Sequence, residues 1–148
     1  MYRRHQGRLE FFLAHPGGPF LRKKDDGYWT IPKGEPQIGE PLLEVACREF
    51  EEETGMKPAG PFIELGSIQQ KGGKWVHAWA FHGNHEGPIR SNTFQMEWPP
   101  NSRKVRDFPE VDRAEFFPLD EAQRKIKETQ FPLLKRLCAA LEQRDGTD

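Results

Sequence analysis

Three glutamates, Glu49, Glu52 and Glu53, fall within five residues of one another, directly after Arg48. On a helix turning about 100° per residue they occupy an arc of roughly 100°. Carboxylates held that close repel one another unless a cation lies between them. A solvated acidic helix would normally place Lys or Arg one turn from each Glu. Here Glu49 has Glu53 at that position, a like-charge pair, and Arg48 is the one basic residue in the run. The pattern points to a divalent metal and so to phosphate chemistry. Hard oxygen ligands suit Mg²⁺ or Mn²⁺, which keep several waters and bridge to phosphates.

The element that must position them is a helix over 40–53. Pro41 fits its first turn, where a missing N–H costs nothing. Gly55 fits the position just past its end, where a left-handed residue stops the chain. Leu42, Leu43, Ala46, Cys47 and Phe50 make one apolar face, with Glu44 and Glu51 turned to solvent. Strands are expected over 9–14, 28–31, 62–69, 75–81, 94–98 and 114–117, with 75–81 apolar on both faces and therefore central. Residues 20–26 read as a charged hairpin-like link and 101–109 as a polar loop. Helices are expected over 119–127 and from Pro132, the second placing Leu133, Leu134, Leu137 and Leu141 along one side, with a frayed tail from Gln143. Strands surrounding helices without a regular βαβ repeat give an α+β fold, an α-β-α sandwich with a mixed curved sheet flanked by helices.

The chain has 148 residues, long enough for one domain over 1–148 with a core of its own. Its 22 basic and 23 acidic side chains leave a net charge of -1, so there is no strong nucleic-acid signal and no pull towards anionic lipid. No apolar run is long enough to cross a bilayer and no signal peptide is evident, so a cytoplasmic location is expected. Two cysteines, Cys47 and Cys138, give no disulfide framework and read as small buried hydrophobes.

Gly34, Glu40, Arg48, Glu49, Glu52, Glu53 and Gly55 fill every fixed position of the pattern G-x5-E-x7-R-E-U-x-E-E-x-G-U, and Phe50 and Met56 its apolar positions. In this the chain resembles the Nudix hydrolases, MutT-like pyrophosphohydrolases in particular. The segment Trp29-Thr30-Ile31-Pro32-Lys33-Gly34 is similar to the family's entry into that box. The stretch 108–119 is similar to its late strand before the C-terminal helix. The opening, Met1-Tyr2-Arg3-Arg4, departs from the family, which begins on an apolar strand; little of that strand is expected here.

The resemblance implies water attack on a phosphorus of a nucleoside diphosphate-linked compound, with Mg²⁺ (or Mn²⁺) as cofactor. It implies Glu49, Glu52 and Glu53 as metal ligands, with a backbone carbonyl of Lys33 or Gly34 as a further one. Glu53 or Glu49 is then the general base. Arg48 steadies the ligand carboxylates and Glu40 anchors the loop, while Gly34 and Gly55 are conformational. Glu110 is a candidate extra ligand or base, with Glu97 a weaker rival. Lys33 is a candidate phosphate contact, more so than the cluster 22–24. Trp29 and Trp75 are candidates to stack on a base, as are Phe94 and Trp98. His77 reads as a packed strand residue, and His82 and His85 lack the partners a zinc site needs.

The favoured substrate is a small nucleoside polyphosphate or dinucleoside polyphosphate, and a homodimer is left open. Two other classes remain: a non-catalytic nucleotide-binding sensor, which would not need a water-activating carboxylate, and a pyrophosphohydrolase of RNA 5′ ends, which would want a basic groove.

Overall fold

The computed structural model describes residues 1–33 and 39–145. Helix α1 runs Leu42–Thr54. Pro41 stands just before it in an extended conformation, its carbonyl accepting from the N–H of Val45 at 3.1 Å. Gly55 ends it at φ 83°, donating its N–H to the Glu51 carbonyl at 2.7 Å. A side chain there would be strained and would also meet Arg90 at 3.0 Å.

The described residues form seven strands. Strands β1 (Tyr2–His5) and β2 (Arg8–Pro16) form a hairpin, and β7 (Val111–Pro118) pairs on the other side of β2. Strands β3 (Ile63–Gln69) and β4 (Trp75–Ala80) make a second antiparallel pair, and β5 (Thr93–Glu97) and β6 (Val105–Pro109) a third. Among the described residues, parallel contact is limited to single bridges, Tyr2 to His82 and Trp29 to Ile126. Helices α2 (Leu119–Lys125) and α3 (Phe131–Asp145) close the chain. Leu133, Leu134, Leu137 and Leu141 are the buried residues of α3, at the spacing of one helical face. The main core joins Leu13, Trp29, Phe117, Ile126, Leu134 and Leu137.

Five expectations need correction. The first strand is present: Tyr2–His5 pairs in register with 8–11, and Arg3 reaches Glu10 at 2.8 Å, so polar residues hold a strand that apolar ones were expected to build. Residues 105–109 are strand rather than loop. Phe94 faces Phe108 and Met96 faces Arg106, and the charges at 104, 106 and 107 hid the alternation. Trp29 and Thr30 join neighbouring chain only by isolated bridges, not as a strand. Strand β4 is not central along its length: among the described residues Trp75–Ala80 pairs with β3, and just past its end Phe81 accepts the N–H of Tyr2 on the other side; the face carrying Trp75, His77 and Trp79 lines a cleft. Helix α3 continues through Gln143 to Asp145, which Arg4 meets at 2.8 Å.

Candidate active site

The acidic side of α1 is organised by one guanidinium. Arg48 donates from Nη1 to Glu49 at 3.1 Å and to Glu52 at 3.4 Å, and from Nη2 to Glu40 at 3.1 Å. Glu53 looks the other way. Its Oε2 accepts the backbone N–H of Lys33 at 3.1 Å, tying the loop before the helix to the helix's last turn. Gly34, the other candidate of that loop, lies outside the described residues.

Burial pushes the Glu53 carboxyl up to about 8, against the Lys33 N–H, with Glu49 and Glu110 adding to the rise. Burial also raises Glu49, followed by the charge of Glu52, with Glu110 contributing again. Glu110 sits in the turn between β6 and β7, where its carbonyl accepts from Gly17 and its N–H donates to Asn92. It is thus brought within electrostatic reach of Glu49 and Glu53, although it is 50 residues or more away in sequence. Glu97 is not; it accepts the N–H of Asn101 at 2.6 Å and shapes the β5–β6 turn.

Among the described residues, no group of three or more His, Cys, Asp or Glu side chains stands ready to hold a metal ion. The expected ligands share one helix but are drawn apart, two by Arg48 and one by Lys33. Their chemistry still fits a hard divalent cation. They are oxygen donors only, and the carboxylates raise one another's proton affinity, a repulsion that a cation relieves.

Of the aromatic candidates, Trp29 is misplaced for stacking. It is 1 % exposed, packed edge-on against Phe117 and His15, with its indole N–H donated to Asp25 at 2.8 Å. No face of its ring is open to a ligand. Trp75 is 68 % exposed and stands at the cleft beside α1. Phe94 packs near Phe108, and Trp98 meets Phe20 edge-on at 5.2 Å.

That cleft changes the reading of the apolar side of α1. Val45, Phe50 and Thr54 are its buried residues, whereas Leu42 is 48 % exposed and Leu43, Ala46 and Cys47 are half-buried. Of the expected apolar face, Phe50 alone is sealed. Leu42, Leu43 and Ala46 line a cavity of about 270 Å³, shared with Trp75, Trp79 and Lys33.

Several supporting residues carried no signal in the sequence. Thr54 is buried, donating its hydroxyl to the Phe50 carbonyl at 2.6 Å and accepting the Met56 N–H at 3.2 Å. Asn92 and Arg90 donate backbone N–H groups to the carbonyls of Glu52 and Thr54, bracing the end of the helix. His15, fully buried, reaches Asp112 at 2.7 Å and the Lys24 carbonyl, fastening 17–28 to β2 and β7. Spacing alone reveals none of these, because each partner is remote in sequence or is backbone.

Three solved structures share the fold. The NUDIX domain of Shewanella oneidensis NrtR, crystallised with ADP ribose, aligns at a TM-score of 0.65 and 17% identity, over 95% of this chain and 82% of that one. A mutT/nudix family protein from Listeria innocua gives 0.58 and 20%, over 99% and 91%. A C. elegans Ap4A hydrolase in a binary complex gives 0.57 and 22%, over 95% and 92%. The NUDIX domain profile itself matches residues 2–137. With its α+β architecture of antiparallel sheets and three helices, the chain belongs to the NUDIX domain family, whose members are generally pyrophosphohydrolases of nucleoside diphosphate-linked compounds.

Proposed function

We propose that this chain hydrolyses a diphosphate bond in a nucleoside polyphosphate or dinucleoside polyphosphate by water attack on phosphorus. The observation that carries the reading is the carboxylate side of α1. Glu49, Glu52 and Glu53 project from thirteen residues of one helix, and Arg48 binds two of them together with Glu40. A purely binding domain has no use for that many mutually repelling acids.

Glu49, Glu52 and Glu53 would hold Mg²⁺ or Mn²⁺, with Glu110 near enough to assist. Such an ion, when bound, neutralises phosphate charge and lowers the pKa of water. The remaining work falls to the chain. Arg48 fixes the directions in which Glu49 and Glu52 point, so that their oxygens are placed before substrate arrives. Glu53, with Oε2 held by Lys33, has Oε1 left to accept the proton of the attacking water once its carboxyl is ionised, which a cation beside it would favour, and Glu49 is the other acceptor in reach. The ammonium of Lys33 is the cation best placed to meet a substrate phosphate, since its own loop is anchored to Glu53.

The test is direct. Purified protein with Mg²⁺ is offered a panel of nucleoside diphosphate-linked compounds, and products are separated by chromatography. Release of a mononucleotide, lost on chelation and lost in Glu52→Gln, is the expected result. Nucleotide binding without release of product from any member would replace the hydrolase reading with that of a binding domain.

A further inference from the structure

The cleft beside α1 carries a hydrogen-bond relay that the hydrolase reading leaves unused. On strands β3 and β4, Ser67 lies directly across from His77. The Ser67 hydroxyl is 2.8 Å from His77 Nδ1, and His77 Nε2 is 2.8 Å from the Glu64 carboxylate. Ser67 and His77 both line the cleft, whereas Glu64 stands outside it in solvent.

The direction of the relay follows from its end. A carboxylate only accepts, so Nε2 of His77 carries the proton and donates it to Glu64. In the neutral ring Nδ1 is then an acceptor, and it takes the Ser67 O–H. The hydroxyl hydrogen is thereby committed. What Ser67 has left to present to the cleft is lone pairs.

Around that acceptor the walls are mostly apolar. Leu42, Leu43 and Ala46 come from α1, Trp75 and Trp79 from β4. The whole cavity, which runs on to Phe11 and Leu133, is about 270 Å³, close to the roughly 300 Å³ at which small-molecule sites begin. Lys33 lines the same cleft, and its N–H is bonded to Glu53. An aromatic ring between these walls would therefore have its phosphates near the carboxylate side of the helix.

We infer that the cleft between α1 and β4 is the nucleobase subsite, and that Ser67, oriented by His77 and Glu64, selects a base bearing an exocyclic amino group, adenine over hypoxanthine. The inference rests on the hydrolase reading only for the phosphates joined to the base. The slot and its acceptor stand on their own geometry.

Adenosine and inosine monophosphates differ at the selected position, an amino group against a carbonyl. Their binding is measured by calorimetry in EDTA, where turnover plays no part. The adenine compound should bind at least about tenfold more tightly, the discrimination expected of one directed hydrogen bond in a desolvated slot. Ser67→Ala should remove the preference. His77→Leu should free the hydroxyl to donate, and so shift the preference towards the hypoxanthine compound. Trp75→Ala should weaken both ligands alike. Circular dichroism shows which variants are folded, and the wild-type comparison needs none of them. No binding of the adenine compound, equal affinity for the two, or an unaltered preference in folded Ser67→Ala each overturns the assignment. Because the measurement excludes metal, such a failure leaves the hydrolase reading standing; normal binding with no mononucleotide release in Mg²⁺ sinks the hydrolase reading alone.

Discussion

The backbone N–H of Lys33 and Oε2 of Glu53 meet at 3.1 Å, closing the loop that precedes α1 onto the helix's final turn. Glutamine in place of Glu53 keeps an oxygen that can accept this bond and removes the charge. Glu53→Gln should therefore lose about a hundredfold or more in kcat, the scale of general-base removal, while its Tm stays within about 2 °C of the parent. Glu49→Gln measured alongside at saturating Mg²⁺ identifies the base as the residue whose loss lowers kcat and removes the acid limb of the pH–rate profile. Retention of turnover in both variants would refute a role for these carboxylates.

Arg48 binds three carboxylates and does not itself line the cavity. Its removal should act through geometry. Arg48→Ala should lower activity about 10- to 100-fold and raise the Mg²⁺ concentration needed for half-maximal rate. Arg48→Lys should recover only part, because an ammonium cannot span Glu40, Glu49 and Glu52 with a fixed fork. A rate loss with unchanged Mg²⁺ dependence contradicts this role.

Burial raises the Cys47 thiol above its ordinary value of 9.0, and the Glu44 carboxylate adds to it. Only the thiolate is alkylated. Iodoacetamide labelling of Cys47, followed by peptide mass spectrometry, should be slow at neutral pH and still climbing beyond pH 9.0. A rate that levels off below that point would show that the side chain meets a different environment.

Thr54→Val swaps a hydroxyl for a methyl at a buried site. It leaves the Met56 N–H without its acceptor and the Phe50 carbonyl without its second donor. The cost should be about 1–3 kcal/mol in urea unfolding, the desolvation penalty of an unpaired buried group. An unchanged midpoint would mean that the Thr54 hydroxyl adds nothing to the hold of Gly55, Arg90 and Asn92 on the end of α1.

How much of this could be seen in the chain depended on where a residue's partners lie. Helix α1 was legible to within two residues, because its stop at Gly55 and the spacing of its acids are local. The leucine face of α3 was legible for the same reason. Trp29 was not, since the residues that enclose it, Phe117 and Ile126, come from strand and chain nearly a hundred positions later. Strand β6 was missed because Lys104, Arg106 and Asp107 stand where a buried strand would alternate. The relay through Ser67, His77 and Glu64 needed the β3–β4 register, and the bulge between Glu64 and Gly66 sets that register. No pattern in the sequence announces the bulge.

Along α1 Glu49 and Glu53 continue, one turn after another, the row that Leu42 and Ala46 begin. A body wedged against the leucines leans on the same rigid rod that carries the glutamates. A small rotation of that rod about its own axis would swing both sets together. On the proposed subsite, then, filling the slot would load the helix that carries the acids, and a ligand too thin for the slot would not.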